Sequence, residues 1–454
     1  MRINRITIRN FKGFEWKVFD FPLPLRLSAK AGKRAKSKAM PKRTGSFHLL
    51  VGENGTGKST ALDAVAVALG IWHVARPSAG WRAIRKNEAR LVRIKEGDRA
   101  RFEAVPDPSI TAQGVIDHEA VSWTRLNKGT SARTSNDEAQ KALAVVARLL
   151  AISRDPEQKV TLPVLAYYGG GRAWLPQTDR LPGFKPDKRK ASRFDAYYYS
   201  LEGRIRDREL NDWFLYESLE AFQRGGKREG MLAVEKAVLN CLPDAKALRF
   251  DADRKEIVVV MTKEKGELPY YALSDGQRAM LSLVADLAVK AVTLNPHLGK
   301  DSVRKSPGVV LIDELDLHLH PKWQRRVVDD LKRTFPAMQF ICSTHSPFII
   351  QSLEPGELIR LQDDAAPAEY SNQSLEDIVE NVQGVEMPQR SERAQELSVA
   401  AEEYFKALRK PNVKPADVEK AEARYRLATE PYTDDPGVNA LLKLEALTAL
   451  KAKS

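Results

Sequence analysis

The segment Gly52–Ser59 reads GENGTGKS, and it lies between the apolar run Phe47–Val51 and a helix-like run that ends at Gly70. A buried strand, a glycine-rich loop and a helix in this order are the structural context of a phosphate-binding loop. Glycines let successive backbone N–H groups turn toward a phosphate, and the following helix adds the positive end of its dipole. The segment therefore predicts a nucleotide site in an α/β fold.

Two side chains of this loop have predicted roles in binding ATP. Lys58 is expected to reach the β- and γ-phosphates, and Ser59 is expected to offer its hydroxyl to Mg²⁺. The residues predicted to bind the nucleotide are Gly52, Asn54, Gly55, Thr56, Gly57, Lys58, Ser59 and Thr60.

A second apolar run ends in two acids. Residues Val309–Ile312 are all apolar, and Asp313 and Glu314 follow them. Such a run predicts a strand inside a parallel sheet that delivers both carboxylates to its C-terminal edge, where the phosphates are expected. We predict that Asp313 binds Mg²⁺, directly or through water, and that Glu314 takes a proton from the attacking water.

The segment Leu273–Gln277 reads LSDGQ and precedes a helical pattern. Its ordinary interpretation is a capped helix start, whose positive end suits an anion. Asp313 follows Ser274 by 39 positions, and His345, in the sequence STHSP, follows Asp313 by 32. Four motifs in this order resemble those of the ABC-type ATPases.

The resemblance implies a head-to-tail dimer, or a higher multimer, in which two heads enclose each nucleotide. It implies that Ser274 and Gly276 contact the γ-phosphate held by the partner subunit's Lys58. His345 would contact that phosphate from the subunit that holds it, as a catalytic residue beside Glu314. Asp316 resembles the D-loop aspartate, which lies across the dimer interface in that family.

Longer stretches of the sequence resemble smaller groups within the ABC-type ATPases. Residues 313–350 resemble the RecF, SMC-head and OLD-like group, in which the pair His318 and His320 is a structural feature of a helix start rather than a metal site. Nearly the whole chain resembles the PtuA family, the ATPases of Septu and related retron antiphage systems, for example in LAYYGGGRAW at Leu165–Trp174. That family implies a multimeric ATPase that holds and controls a separate HNH-type nuclease.

The pattern along the chain predicts two domains. Residues 1–350 are predicted to form the ATPase head, a mixed sheet with an antiparallel lobe and a helical lobe, and residues 351–454 a small helical domain. Alternating runs from Arg90 to Leu126 predict one antiparallel sheet, and Val160–Tyr168 predicts a further strand. The apolar spacing of Phe194–Cys241 is helical.

The tail beyond Pro347 has helical spacing throughout. Ser374 and Ser391 are predicted N-caps, and Asp377 stands at the capping-box distance from the first. Residues 346–454 contain no histidine and no Asp-x-Asp pair, so neither an HNH nor a TOPRIM metal site is apparent there.

The charge of the chain is unevenly placed. Its 73 Lys+Arg exceed its 60 Asp+Glu by 13, and the basic insertion Arg26–Arg43 supplies 8 cations without an acid. Such a segment is either a solvated insertion or a loop attracted to the phosphates of DNA or RNA. The cluster Lys185–Lys190 is weaker evidence for the same attraction.

Two cysteines in apolar segments, Cys241 and Cys342, favour buried thiols in a reducing compartment over a disulfide framework. No apolar run reaches the roughly 18 residues that a membrane-spanning helix needs. We therefore expect a cytoplasmic protein without a membrane partner.

Four functions fit these patterns. The first is an ATP-hydrolysing switch that dimerises around nucleotide and controls a separate nuclease in antiphage defence. The second is a RecF-like ATPase of DNA repair. The third, an ATP-gated nuclease, needs a metal site that the tail does not show, and the fourth is a scaffold that binds ATP without hydrolysing it.

Overall fold

The computed structural model describes residues 1–23, 45–75, 82–96, 99–129, 131, 133–155, 157–173, 192–205, 207–262, 266–362, 370–389, 391–409 and 414–432. The basic insertion Arg26–Arg43 and the Lys185–Lys190 cluster lie outside these residues, so their attraction to nucleic acid stays a prediction. The chain divides into two compact units, residues 1–373 and 374–454. The domain boundary after residue 350 also stays a prediction.

Three sheets and one hairpin contain the strands of the first unit. In chain order they are β1 (Arg2–Phe11), β2 (Phe14–Asp20), β3 (Ser46–Val51), β4 (Leu91–Glu96), β5 (Arg99–Ala104), β6 (Ser109–Ile116), β7 (Glu119–Asn127), β8 (Thr134–Ser135), β9 (Val164–Tyr168), β10 (Ala245–Asp251), β11 (Glu256–Met261), β12 (Glu267–Pro269), β13 (Gly308–Ile312), β14 (Met338–Ser343) and β15 (Leu358–Arg360).

Most helices lie between these strands in the chain, and the last three form the second unit. The helices are α1 (Lys58–Leu69), α2 (Ile71–Ala75), α3 (Gln140–Ile152), α4 (Asp207–Arg224), α5 (Glu229–Cys241), α6 (Asp275–Leu294), α7 (Ser302–Lys305), α8 (Pro321–Thr334), α9 (Pro347–Gln351), α10 (Leu375–Asn381), α11 (Glu392–Arg409) and α12 (Pro415–Thr429).

The central sheet is parallel throughout, in the order β15-β3-β14-β13-β9. Every residue of β3, β9, β13 and β14 is buried, as expected for continuous apolar strands covered on both faces. Helix α8 connects β13 to the parallel strand β14, so the predicted strand–helix–strand unit is confirmed. The core is a parallel α/β sheet, as the sequence predicts.

Register brings the ends of the central strands to one edge. Ile312 of β13 pairs with Cys342 of β14, and Cys342 pairs with Leu49 of β3. On the other side of β13, Ile312 pairs with Tyr168 of β9. Because all four strands run in the same direction, the loops that follow them leave from the same edge of the sheet.

The antiparallel lobe differs from the prediction of one sheet over Arg90–Leu126. Strands β6 and β7 pair with β1 in the order β2-β1-β6-β7-β8, whereas β4 and β5 form a separate hairpin. Every residue of β5 is exposed, so this hairpin has no buried face that would join it to a larger sheet.

Two predicted elements are shorter than expected. Strand β9 begins at Val164 rather than Val160, because Pro163 has no backbone N–H to pair and the N–H of Leu162 donates instead to the side chain of Asn295 (2.7 Å). The helical region Phe194–Cys241 is divided into α4 and α5 after a short 3₁₀ turn. A three-stranded antiparallel sheet, β10-β11-β12, follows it.

Helices α10, α11 and α12 form the second unit, whereas Leu358–Arg360, in the region predicted to be helical, is strand β15 of the central sheet. Ser374 and Asp377 form the predicted capping box of α10, and the hydroxyl of Ser391 accepts from the N–H of Ala394 at the start of α11. A small core packs around Ala401 and Phe405. In the described part of the chain, none of the helices combines the length and apolarity that crossing a membrane requires.

Candidate nucleotide site

The loop between β3 and α1 has the backbone that its glycines make possible. Gly55 and Gly57 have φ of 83° and 101°, in the left-handed region that residues with a side chain rarely adopt. A Cβ atom on Gly57 would lie 2.4 Å from the ring of Phe14 at the start of β2. The antiparallel lobe therefore packs directly against the turn that leads into α1.

Lys58 lies at the centre of this loop and is mostly buried. Its Nζ donates to the carbonyl oxygens of Gly52 (2.7 Å) and Glu53 (2.9 Å), so the ammonium closes the loop on itself. Burial lowers the pKa of Lys58. The negative charges of three carboxylates oppose this lowering, namely Asp313, Glu314 and Asp316.

The remaining predicted loop residues line the outside of the turn. Asn54 and Ser59 are exposed, and Thr60 is half-buried in the first turn of α1. The hydroxyl of Thr56 donates to the carbonyl oxygen of Glu53 (2.8 Å), which stabilises the turn itself. The hydroxyl of Ser59 therefore lies on the accessible side of the helix start.

Asp313 and Glu314 follow β13 at the same edge and share one partner. The hydroxyl of Ser343, at the end of β14, donates to Oδ1 of Asp313 (2.5 Å) and accepts from the N–H of Glu314 (2.9 Å). Asp313 is buried, and its own N–H donates to the carbonyl oxygen of Tyr168 (2.8 Å). Ser343 thus sets the positions of both acids, a role that the sequence analysis missed.

Beyond the edge of the sheet, hydrogen bonds also connect the loop after β13 with the loop after β14. The hydroxyl of Thr344 and the N–H of His345 (3.4 Å) both donate to Oδ1 of Asp316. The His345 residue itself is exposed beyond the end of β14. The structure therefore brings Lys58, Asp313 and the main chain of His345 to one edge of the central sheet.

The LSDGQ segment begins α6. Ser274 and Gln277 form a capping box, and Ser274 is exposed. A Cβ atom on Gly276 would lie 2.5 Å from the carbonyl oxygen of His318, so this glycine permits a close approach to the segment that follows Glu314. Within one chain, the LSDGQ segment therefore packs on the loop beyond the two acids.

The chain is similar in sequence to known proteins. A family profile described as "AAA domain" matches residues 5–224, and one described as "AAA domain, putative AbiEii toxin, Type IV TA system" matches residues 195–351. The chain is 25% identical over 410 residues to the retron Vc95 probable ATPase of Vibrio cholerae serotype O1 biovar El Tor, which covers 77% of this chain and 72% of that protein. The chain is an ATPase that resembles the ABC-type P-loop family.

Further proteins are similar to the chain in sequence or in structure. The ATPase is 24% identical to the retron Ec83 probable ATPase of Escherichia coli, over 78% of this chain and 70% of that protein. It is 28% identical to the Septu protein PtuA of Bacillus thuringiensis, over 44% of this chain and 51% of the relative. An SMC head bound to a winged-helix domain of ScpA superposes with a TM-score of 0.43 and 18% identity, covering 79% of this chain and 93% of that one.

The two histidines of the HLHP sequence have structural positions in the ATPase. His320 is the N-cap of α8, and its Nδ1 accepts from the N–H of Lys322 (3.2 Å). His318 has a φ of 62° in the turn before the helix. Among the described residues, no group of three or more His, Cys, Asp or Glu side chains is arranged to hold a metal ion.

A buried ion network behind the phosphate loop was not predicted. Asp63 lies on α1, one turn after Ser59, and binds the guanidinium of Arg82 (3.0 Å) and the ammonium of Lys12. Arg82 also binds Glu88 (2.9 Å), and burial lowers the pKa of Arg82 while the acids raise it, with a net increase. These charges come from separate parts of the sequence, and no local pattern indicates that they meet.

Proposed function

We propose that the ATPase binds MgATP at the Gly52–Ser59 loop, hydrolyses it, and acts as a nucleotide-controlled switch. One observation carries this proposal: the loop, Asp313 and Glu314 lie at one edge of a parallel sheet, and Ser343 hydrogen-bonds to both acids. No side chain from another subunit is needed to assemble this part of the site.

In the proposed mechanism the chain positions the phosphates before it activates water. Lys58 leaves the carbonyl oxygens of its own loop and binds the β- and γ-phosphates, for which its charge is better matched. Ser59 and Asp313 supply oxygen ligands suited to Mg²⁺, which neutralises the charge of the phosphates when bound. Glu314 then accepts a proton from the attacking water.

Three further residues complete the proposed site. His345 lies beyond β14 and would bind the γ-phosphate from the same subunit. Ser274 and Gly276 would contact that phosphate from a second subunit, because Ser274 is exposed at the start of α6 and a helix N-terminus favours an anion. Assembly is therefore head to tail, with each nucleotide between two chains.

Mixed subunits test this assembly. Lys58→Ala and Ser274→Arg are each expected to abolish hydrolysis, but their hybrid dimer places both lesions in one composite site and leaves the other intact. Equal mixing should recover about a quarter of the wild-type rate, because half of the dimers are hybrids with one working site.

The matched control mixes Lys58→Ala with Glu314→Gln. Both lesions lie on the side of the site that a single chain supplies, so every composite site in that hybrid is defective and no activity should return. Equal recovery in both mixtures would reject head-to-tail assembly. If the first mixture shows no recovery despite hybrids proven by mass spectrometry, the variants Ser274→Cys and Thr56→Cys decide: a crosslink between chains means that the two sites are strictly coupled, and one confined within a chain rejects the assembly.

We further propose that the switch controls a separate nuclease, of HNH type, in antiphage defence. The names of the relatives support a place in such a system, since two are retron probable ATPases and a third is a Septu protein. Purification of the tagged ATPase together with the products of its neighbouring genes should yield a nuclease whose activity changes when ATP is added. If the neighbours encode no copurifying nuclease, and the ATPase gene does not reduce phage plating, this function is wrong.

A further inference from the structure

A second glycine segment lies beside the two acids. Gly169–Gly171 follows β9, and β9 is the neighbour of β13 in the central sheet. The N–H of Asp313 donates to the carbonyl oxygen of Tyr168 (2.8 Å), so the two loops leave their strands side by side. This second glycine loop contains no side chain that binds a phosphate or a metal ion.

Of the three glycines, Gly170 is the one whose added Cβ atom would meet Glu314. A Cβ atom on Gly170 would lie 3.1 Å from Cδ and Oε2 of Glu314 and 3.3 Å from Oε1. Carbon atoms in ordinary contact lie at about 3.5–4.0 Å, so an added methyl group would press on the carboxylate. Neither Gly170 nor Gly171 has a positive φ, so space rather than backbone conformation requires a glycine at position 170.

The main chain is held in place on both sides of this contact. The main chain of Glu314 has a φ of 50°, and its N–H is bound to Ser343 (2.9 Å). On the opposite side, the N–H groups of Tyr167 and Gly169 donate to the carbonyl oxygens of Ser200 (2.8 Å) and Gly203 (2.9 Å). An added side chain at position 170 would therefore displace the Glu314 carboxylate rather than either backbone.

We propose that Gly170 is a positioning residue for Glu314: its backbone forms a wall that lets the carboxylate adopt the direction needed to take a proton from water. The inference rests on the proposed role of Glu314 as general base. It adds that Gly170, in the loop after β9 that residues Ser200–Gly203 hold, belongs to the hydrolytic site, whereas its neighbour Gly171 does not touch Glu314. Small displacements of a catalytic group lower the rate strongly because proton transfer depends on alignment.

The adjacent glycine provides a matched control. No atom lies within 4 Å of a Cβ atom built on Gly171, so Gly171→Ala tests the cost of a methyl group in the same loop without the contact. We expect Gly170→Ala to lower kcat about tenfold and to leave the Kd for ATP within about twofold of wild type. Gly171→Ala should leave both constants unchanged.

A double-mutant cycle separates positioning from a structural role. In the Glu314→Gln background, Gly170→Ala should have little further effect on kcat, because the group that it displaces no longer accepts a proton. An equal loss in both backgrounds, an unchanged kcat for Gly170→Ala, or a loss of ATP binding by that variant would each overturn the proposal. If Glu314→Gln alone keeps the wild-type rate, the proposed function of Glu314 fails instead.

Discussion

Two glycine loops at the same edge of the central sheet show two reasons for using this residue. In the first, Gly55 and Gly57 have left-handed backbones, which let N–H groups turn toward a ligand. In the second, Gly170 has an ordinary backbone and lies beside the Glu314 carboxylate, where a Cβ atom would be too close. One loop is glycine-rich because of its own conformation, and the other because of its neighbour.

This difference explains why the two loops respond differently to change. Conformation in the first loop is a property of adjacent residues, so a short pattern in the sequence identifies it. The space at Gly170 is limited by the side chain of Glu314, which lies 144 positions later in the chain.

Removing the charge of the first loop should have the largest effect. Lys58→Ala is expected to raise the Kd for ATP by at least about 100-fold, because charge-assisted contacts to two phosphates are lost. Isothermal titration calorimetry measures this directly. Lys236→Ala, on the exposed face of α5, is the control, and equal ATP affinity in both variants would contradict the loop assignment.

Changing the acid beside the second loop should affect turnover rather than binding. Glu314→Gln is expected to lower kcat on the order of 10²–10⁴-fold, the usual contribution of a positioned base, with the Kd for ATP preserved. Single-turnover hydrolysis with excess enzyme measures the chemical step. A rate equal to wild type would mean that another group activates the water.

Two alanine substitutions separate conformation from space within the first loop. Gly55→Ala forces a side chain into a left-handed backbone with open space around it, and should destabilise the fold by about 1–2 kcal/mol. Gly57→Ala adds a 2.4 Å approach to the ring of Phe14, and should cost more. Thermal unfolding of the two variants gives the comparison, and equal losses would show that the Phe14 contact yields easily.

Low pH should destabilise the fold beside both glycine loops, because two buried histidines become protonated there. Burial lowers the pKa of His48, on β3, to about 3 and that of His73, which lies 3.5 Å from the hydroxyl of Ser200, to about 4. The unfolded chain binds these protons near pH 6.5, so stability is fully present above pH 6.5 and falls toward pH 4 by about 1.4 kcal/mol per pH unit for each histidine.

The variants His48→Gln and His73→Gln should each flatten this dependence of the unfolding temperature on pH. His118→Gln, in an exposed turn between β6 and β7, serves as the control. If neither buried variant changes the slope between pH 6.5 and pH 4, carboxylates rather than these histidines set the acid sensitivity.

Local patterns predicted much of the fold. The continuous apolar runs at Phe47–Val51 and Val309–Ile312 are buried parallel strands, because a strand covered on both faces has no polar side. The prediction failed where pairing partners decide the result. Strands β4 and β5 alternate like β6 and β7, yet they form a separate exposed hairpin, and alternation alone does not say which sheet a strand joins.

For the site, short patterns in the sequence predicted the glycine loop before α1, the acids at the end of β13 and the capped start of α6. Each depends on residues that are neighbours in the chain, so a short pattern is enough to indicate it. Only the tertiary structure decided that Ser343 binds both acids and that Gly170 approaches Glu314. Those contacts depend on the order and register of β9, β13 and β14, which distant residues set through packing rather than through any local pattern.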